Sequence, residues 1–122
     1  MKLHLSPNSG QNVFTGYGAG YVLVNHVRYQ HNLIVTPDRI IENWDAGSFE
    51  QLIPEHFNFL LSLRPEMILF GTGSTLRFPH PKLTRALIES RIGIEVMDTS
   101  AACRTYNILM AEGRRVAAAL LI

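Results

Sequence analysis

Two uninterrupted apolar stretches constrain this chain most: Met67-Ile68-Leu69-Phe70, and the seven residues 116–122, Val-Ala-Ala-Ala-Leu-Leu-Ile. Neither alternates polar with apolar, so neither suits a strand with one face in water. Each reads as a strand covered on both faces, which requires packed layers on either side of one sheet. A third strand, Ile94-Glu95-Val96-Met97, lies between them, and helical patterns fill the gaps. Residues 81–91 predict a helix with Leu83, Leu87 and Ile88 inward and Gly93 punctuating its end. Asp98-Thr99-Ser100 predicts the cap of another helix, which runs to Glu112 and closes at Gly113. This strand–helix–strand–helix–strand order implies right-handed crossovers and parallel neighbours.

The first half is written differently. Tyr21-Val22-Leu23-Val24, Val27-Arg28-Tyr29 and Leu33-Ile34-Val35 are short β-prone runs, punctuated by Asn25-His26 and Gln30-His31-Asn32. They predict an antiparallel meander within residues 13–41. Asp45-Ala46-Gly47-Ser48 breaks that pattern, and Ser48 can cap a short turn. Pro54 opens a helix in which Ile53, Phe57, Leu60 and Leu61 make an apolar stripe, and Pro65 ends it near Arg64. The fold class is therefore mixed α/β (α+β): an antiparallel N-terminal meander and a βαβαβ C-terminal half, in one domain over residues 1–122.

A chain of 122 residues buries about two-thirds of its unfolded surface, so this fold needs no metal or disulfide framework. The formal charge is +1, with 11 basic and 10 acidic side chains, which leaves no basic excess for a nucleic-acid backbone. Cys103 is the only cysteine, which excludes an internal disulfide and favours a reducing compartment. Residues 1–7 lack the apolar run of a signal peptide and the arginine-rich pattern of a transit peptide. No apolar stretch approaches the roughly 18 residues that span a bilayer. A soluble, cytoplasmic protein without a transmembrane segment is expected.

The five histidines, His4, His26, His31, His56 and His80, show no metal-ligand spacing, and no Gly-x-Ser-x-Gly or paired-carboxylate pattern is present. No metal, cofactor or catalytic residue is assigned, and the balance leans away from an enzyme. Gly16-Tyr17-Gly18-Ala19-Gly20 lacks the third glycine of a dinucleotide fingerprint and precedes a strand, so it reads as a tight or bulged turn.

Two junctions are better placed. Gly71-Thr72-Gly73-Ser74 follows a buried strand, at the carboxyl edge where open α/β sheets bind ligands, and its N–H groups can form an anion nest. Thr99 and Ser100 begin the next helix, whose amino end attracts anions. Ser100, Arg104 and Asn107 fall on one face of that helix. Together Gly71, Thr72, Gly73, Ser74, Thr99, Ser100, Arg104 and Asn107 make a candidate site for a small anion. The plainer alternatives are a flexible turn leading to Pro79 and Pro81, an ordinary helix cap, and a surface arginine. Cys103, early in the helix beside Arg104, is a candidate reactive thiol; the alternative is a small packing residue.

Three segments carry a resemblance to a known family: residues 66–73 (Glu-Met-Ile-Leu-Phe-Gly-Thr-Gly), residues 97–109 with their Ala-Cys-Arg-Thr-Tyr-Asn run, and residues 112–121. The chain resembles the bacterial branch of a domain-of-unknown-function family that includes mitochondrial complex I assembly factor three. The matching positions are Gly71, Thr72, Gly73, Met97, Thr99, Ala102, Arg104, Thr105 and Asn107. The resemblance implies a three-layer β/β/α fold and no established catalytic residue. For the mitochondrial members it implies help in assembling the respiratory NADH dehydrogenase, hence a respiratory-complex subunit as partner. Two functions stand side by side: an assembly-factor-like binding protein, and an enzyme or sensor holding a small anionic ligand at residues 71–73 and the Thr99 helix end.

Overall fold

The computed structural model describes residues 10–122; the stretch inspected for targeting signals, with His4, lies outside them. Strands β1 (Phe14–Gly18), β2 (Tyr21–Val24) and β3 (Val27–Tyr29) form an antiparallel three-stranded sheet. Asn25 and His26 take positive φ, 52° and 68°, the primed geometry that suits a two-residue hairpin. Opposite them, a bulge interrupts the β1–β2 register between Phe14 and Gly16.

Strands β4 (Leu33–Val35), β5 (Ile40–Glu42), β6 (Met67–Gly71), β7 (Gly93–Met97) and β8 (Val116–Leu120) build a second sheet in the order β5-β4-β8-β6-β7. The apolar C-terminal run takes the centre, parallel to β6 and antiparallel to β4. This corrects the meander expected for residues 13–41, because Leu33, Ile34 and Val35 leave it for the larger sheet. All three are fully buried. Such a strand needs neighbours on both faces, and only the interior of the five-stranded sheet supplies them.

Side chains alternate across that sheet with period two. Leu69, Ala118 and Leu120 face Phe14, Val22, Cys103 and Tyr106, while Ile68, Phe70 and Ala119 face Trp44, Phe57 and Leu60. On the second side Trp44, Phe57 and Phe70 meet edge to face, with ring centroids 5.1–6.1 Å apart. The first side is covered by the three-stranded sheet together with the longest helix, and the other by short helical segments. These are the three layers, β/β/α.

The helices are α1 (Pro54–Asn58), α2 (Arg85–Glu89) and α3 (Thr99–Ala111). Two of them are shorter than their sequence patterns predict. Beyond Asn58 the chain tightens into a 3₁₀ turn, Phe59–Leu63, and Arg64 stops it at φ 50°, since Pro65 disfavours a helical residue before it. Residues 81–91 split into a 3₁₀ turn, Pro81–Leu83, and the five residues of α2. Leu83 and Leu87 are buried as expected, but Ile88 is 58% exposed, because α2 turns only one narrow face to the sheet. Gly93 opens β7, and Arg91 at φ 60° takes the left-handed stop expected of it. Among the described residues no helix is long and apolar enough to cross a membrane.

Candidate functional site

Parallel pairing decides where the two predicted junctions fall. Gly71 lies opposite Met97 on β7 and Leu120 on β8, so the chain leaves all three strands at one edge of the sheet. There the junctions bond to each other. Thr99 N–H donates to the Gly73 carbonyl at 2.9 Å, and Gly73 N–H donates to Thr99 Oγ1 at 2.8 Å. The Thr99 hydroxyl in turn donates to the Leu121 carbonyl at 2.7 Å, in a buried setting.

Gly71 is explained by close approach. A Cβ there would stand 2.7 Å from Leu120 Cδ2 and 3.0 Å from Thr99 Cα, so a side chain would displace the leucine methyl and crowd the start of α3. Thr72 is buried; its hydroxyl donates to the Thr75 carbonyl at 2.6 Å and accepts from Arg77 N–H at 3.2 Å. It braces the loop that follows. Gly73 has φ 93°, a left-handed conformation that a side chain would strain, with open space around it.

The four residues Gly73, Ser74, Thr99 and Ser100 open onto one cleft of about 400 Å³. Its opposite wall is the turn from Tyr17 to Tyr21, and Leu121 closes the floor. That wall escaped sequence reasoning, which took the glycine cluster for a turn alone. The available signal was the pair of tyrosines framing it. Tyr21 lies against Gly18, where a Cβ would run into its ring, and the Arg28 guanidinium stacks 4.1 Å from the centre of that ring.

Arg104 and Asn107 have other neighbours. The exposed Arg104 side chain donates from Nη1 to the Tyr17 hydroxyl at 2.7 Å, with its guanidinium carbon 5.7 Å from the ring centre, and so braces the wall from behind. Asn107 is buried and bonds to the main chain of Phe14 through both atoms of its amide. At the amino end of α3, Ala101 N–H donates to Asp98 Oδ1 at 2.9 Å. The positive end of the helix dipole therefore already faces a carboxylate.

Cys103 belongs to the core. It is fully buried among Phe14, Leu69 and Tyr106, and burial pushes its thiol up to about 12 against the smaller opposing pull of Arg104. A neutral thiol is a poor nucleophile, so the reactive-thiol expectation gives way to the packing role. Among the described residues no group of three or more histidine, cysteine or acidic side chains is placed to hold a metal. What the edge offers chemically is a mostly apolar, tyrosine-walled hollow in which Gly73 and Thr99 are paired with each other and the Ser74 and Ser100 side chains line the surface.

Comparison with known proteins places this arrangement. The mouse protein named NADH dehydrogenase (ubiquinone) 1 alpha subcomplex assembly factor 3 is 34% identical over 90 residues, 72% of this chain and 48% of its own length. The chain thus spans about half of that relative. A Francisella tularensis protein named 13 kDa major membrane protein is 28% identical over 109 residues, covering 88% of this chain and 89% of the relative. A crystal structure of a Bordetella parapertussis protein superposes with a TM-score of 0.87 at 40% identity, covering 94% of this chain and 98% of that one. With a family model matching residues 14–121, the chain belongs to the family described as "Protein of unknown function (DUF498/DUF598)".

Proposed function

We propose that this chain is an assembly-factor-like binding protein for a subunit of the respiratory NADH dehydrogenase, and that the partner docks in the cleft between the Tyr17–Tyr21 turn and the Gly73–Thr99 junction. The relatives named as complex I assembly factors supply the partner class. The observation that carries the docking site is the internal pairing of Gly73 with Thr99 on its lining. Gly73 and Thr99 bond each other, so the cleft presents chiefly aromatic and aliphatic surface, which recognises a partner's side chain by shape. Affinity capture at native expression should recover one reproducible partner, and a deletion strain should lose NADH dehydrogenase activity. Ala19, exposed on the rim, can be changed to arginine to fill the cleft without disturbing the core. Capture that Ala19→Arg leaves unchanged, or a deletion strain with normal activity, would remove this reading.

A second reading rests on a different observation, the convergence of both glycine and helix junctions on one hollow. Here an enzyme or sensor would hold a small anion against Gly73, Ser74, Thr99 and Ser100, the four expected site residues that line the hollow, while Gly71, Thr72 and Asn107 support it from within and Arg104 acts only through Tyr17. Thermal-shift screening against phosphates, nucleotides and carboxylates tests it. If no ligand stabilises the wild type more than Arg104→Ala, the idea is set aside.

A further inference from the structure

A second hollow of about 390 Å³ lies at the opposite pole, where β6 and β8 begin. The five residues of β6, at about 3.3 Å each, keep the poles apart by roughly 16 Å. The turn from β4 to β5 brings Asp38 and Arg39 to this hollow, and the turn from α3 into β8 brings Arg114 and Arg115. Arginine from two separate turns thus meets at one concave surface.

Both acidic groups nearby have hydrogen-bond partners, although the neutral Thr36 hydroxyl leaves the charge of Asp38 in place. Asp38 Oδ1 accepts from the Thr36 hydroxyl at 3.0 Å. Glu66 Oε1 accepts from Arg114 Nε at 3.4 Å and from Arg115 N–H at 3.0 Å. Glu66 therefore neutralises Arg114 and ties down the main chain of Arg115. Neither the Arg39 nor the Arg115 guanidinium has a hydrogen bond or ion pair among the described residues.

The main chain that carries each of them is nevertheless fixed. Thr36 Oγ1 accepts from Arg39 N–H at 3.0 Å, and Thr36 N–H donates to the Arg39 carbonyl at 2.9 Å. On the other side, Glu66 N–H donates to the Arg115 carbonyl at 2.9 Å, which completes a two-way clasp with the bond to its carboxylate. Two exposed guanidinium forks on braced turns, of which Arg115 also lends its charge to the lowered Glu66 carboxyl, suit a tetrahedral, multiply charged oxyanion.

We propose that the hollow between Arg39 and Arg115 binds a phosphoryl group, carried either by a small phosphate monoester or by an anionic lipid headgroup. This site is separate from the Gly73–Thr99 cleft and does not depend on what occupies it. The volume is at the lower end for a small-molecule pocket, about 300 Å³ upward, and fits a phosphoryl group with a short substituent.

The test is titration of the full ¹⁵N-labelled chain with glycerol phosphate, followed by amide shifts, beside co-sedimentation with phosphatidylglycerol vesicles. Saturable shifts confined to residues 36–39 and 113–116 are expected, or vesicle binding in their place. Either should weaken about tenfold or more in the Arg39→Gln/Arg115→Gln double variant and persist in Arg85→Gln, which lowers the charge on a distant helix. Shifts with free glycerol phosphate identify a soluble ligand; binding only to vesicles identifies the lipid. The double variant's own spectrum shows that it remains folded. No saturable binding of either probe, binding that the double variant retains, equal loss in Arg85→Gln, or equal shifts with acetate would each overturn the proposal.

Discussion

Asn107 grips the main chain of Phe14 with both ends of its amide: Phe14 N–H donates to Oδ1 at 2.9 Å, and Nδ2 donates to the Phe14 carbonyl at 2.8 Å. The two residues are 93 positions apart. β1 is an edge strand, and at this point the side chain of α3 takes the place of a neighbouring strand. The Phe14 ring then packs edge to face on Tyr106, one residue earlier on the same helix, with centroids 5.0 Å apart. One turn of α3 thus pins the small sheet to the large one.

Removing that amide leaves two buried main-chain groups without partners. Asn107→Ala should lower stability by about 2–4 kcal/mol, read from urea denaturation midpoints, and speed exchange of the Phe14 amide proton. Asn107→Asp keeps the shape and the acceptor but sets a carboxylate oxygen against the Phe14 carbonyl. Burial and that contact raise the folded pKa of the new acid above its unfolded value of about 3.9, so its penalty grows as pH rises through that value. The variant should regain stability as pH falls toward 4. Equal stability of wild type and Asn107→Ala would show that the clasp contributes nothing.

The edge at Gly71 is governed by space and by one hydroxyl. Gly71→Ala places a methyl against Leu120 and the Thr99 backbone, and should lower stability by about 1–3 kcal/mol through overpacking. Thr99→Val keeps the volume but strands the Gly73 N–H and the Leu121 carbonyl, with a loss of about 2 kcal/mol, whereas Thr99→Ser retains the hydroxyl and most of the stability. Thermal melts of the three variants rank these effects. A Thr99→Val melt matching that of Thr99→Ser would mean that the hydroxyl is dispensable.

Sequence patterning revealed the elements whose environment is written locally. The run at 116–122 declares a strand with two buried faces, and Asp98 declares the cap of α3, which its bond to Ala101 N–H bears out. The meeting of Gly73 with Thr99 followed from parallel strands alone. What stayed hidden depends on distant partners. Leu33–Val35 joins a strand more than eighty residues later, and nothing beside it in sequence signals that pairing. Helical spacing put Ser100, Arg104 and Asn107 on one face, but spacing does not say what covers a face. β1 covers the Asn107 end, so that side chain became a clasp, while Arg104 stayed at the surface on Tyr17. The helices α1 and α2 are shorter than expected because a 3₁₀ turn takes up part of each apolar pattern, Phe59–Leu63 and Pro81–Leu83, a distinction that periodicity does not register.

Cys103 predicts a particular alkaline sensitivity. Its folded thiol sits near 12, against an ordinary value near 9, because burial disfavours the thiolate. Between those values the unfolded chain releases a proton that the folded one keeps, so stability falls as pH rises from about 9 toward 12 and is independent of this group below 9. One such proton corresponds to a slope of about 1.4 kcal/mol per pH unit. Burial also raises the Tyr106 phenol, which adds loss of the same sign from about pH 10 upward. Cys103→Ala should flatten the curve between pH 9 and 10 relative to wild type, whatever its effect at neutral pH. In the native protein, reaction of the thiol with a maleimide at pH 7 should be slow and should accelerate sharply in urea; fast native labelling would contradict the burial.

The wall of the cleft should depend on a coupling between Arg104 and Tyr17. The guanidinium is exposed, so its hydrogen bond to the Tyr17 hydroxyl is worth about 0.5–1 kcal/mol at most, and either Arg104→Ala or Tyr17→Phe alone should change stability only modestly. A double-mutant cycle isolates the shared part, because each substitution removes the same bond. A coupling energy of about 0.5–1 kcal/mol is expected. Arg104→Lys should recover less than half of it, since an ammonium offers no planar fork to lie along the ring while reaching the hydroxyl. Amide exchange through residues 17–21 reports the consequence for the cleft: loss of the guanidinium should speed it there while leaving β6 and β8 protected. Strict additivity of the two substitutions, with unchanged exchange at the turn, would mean that the tyrosine wall stands without Arg104.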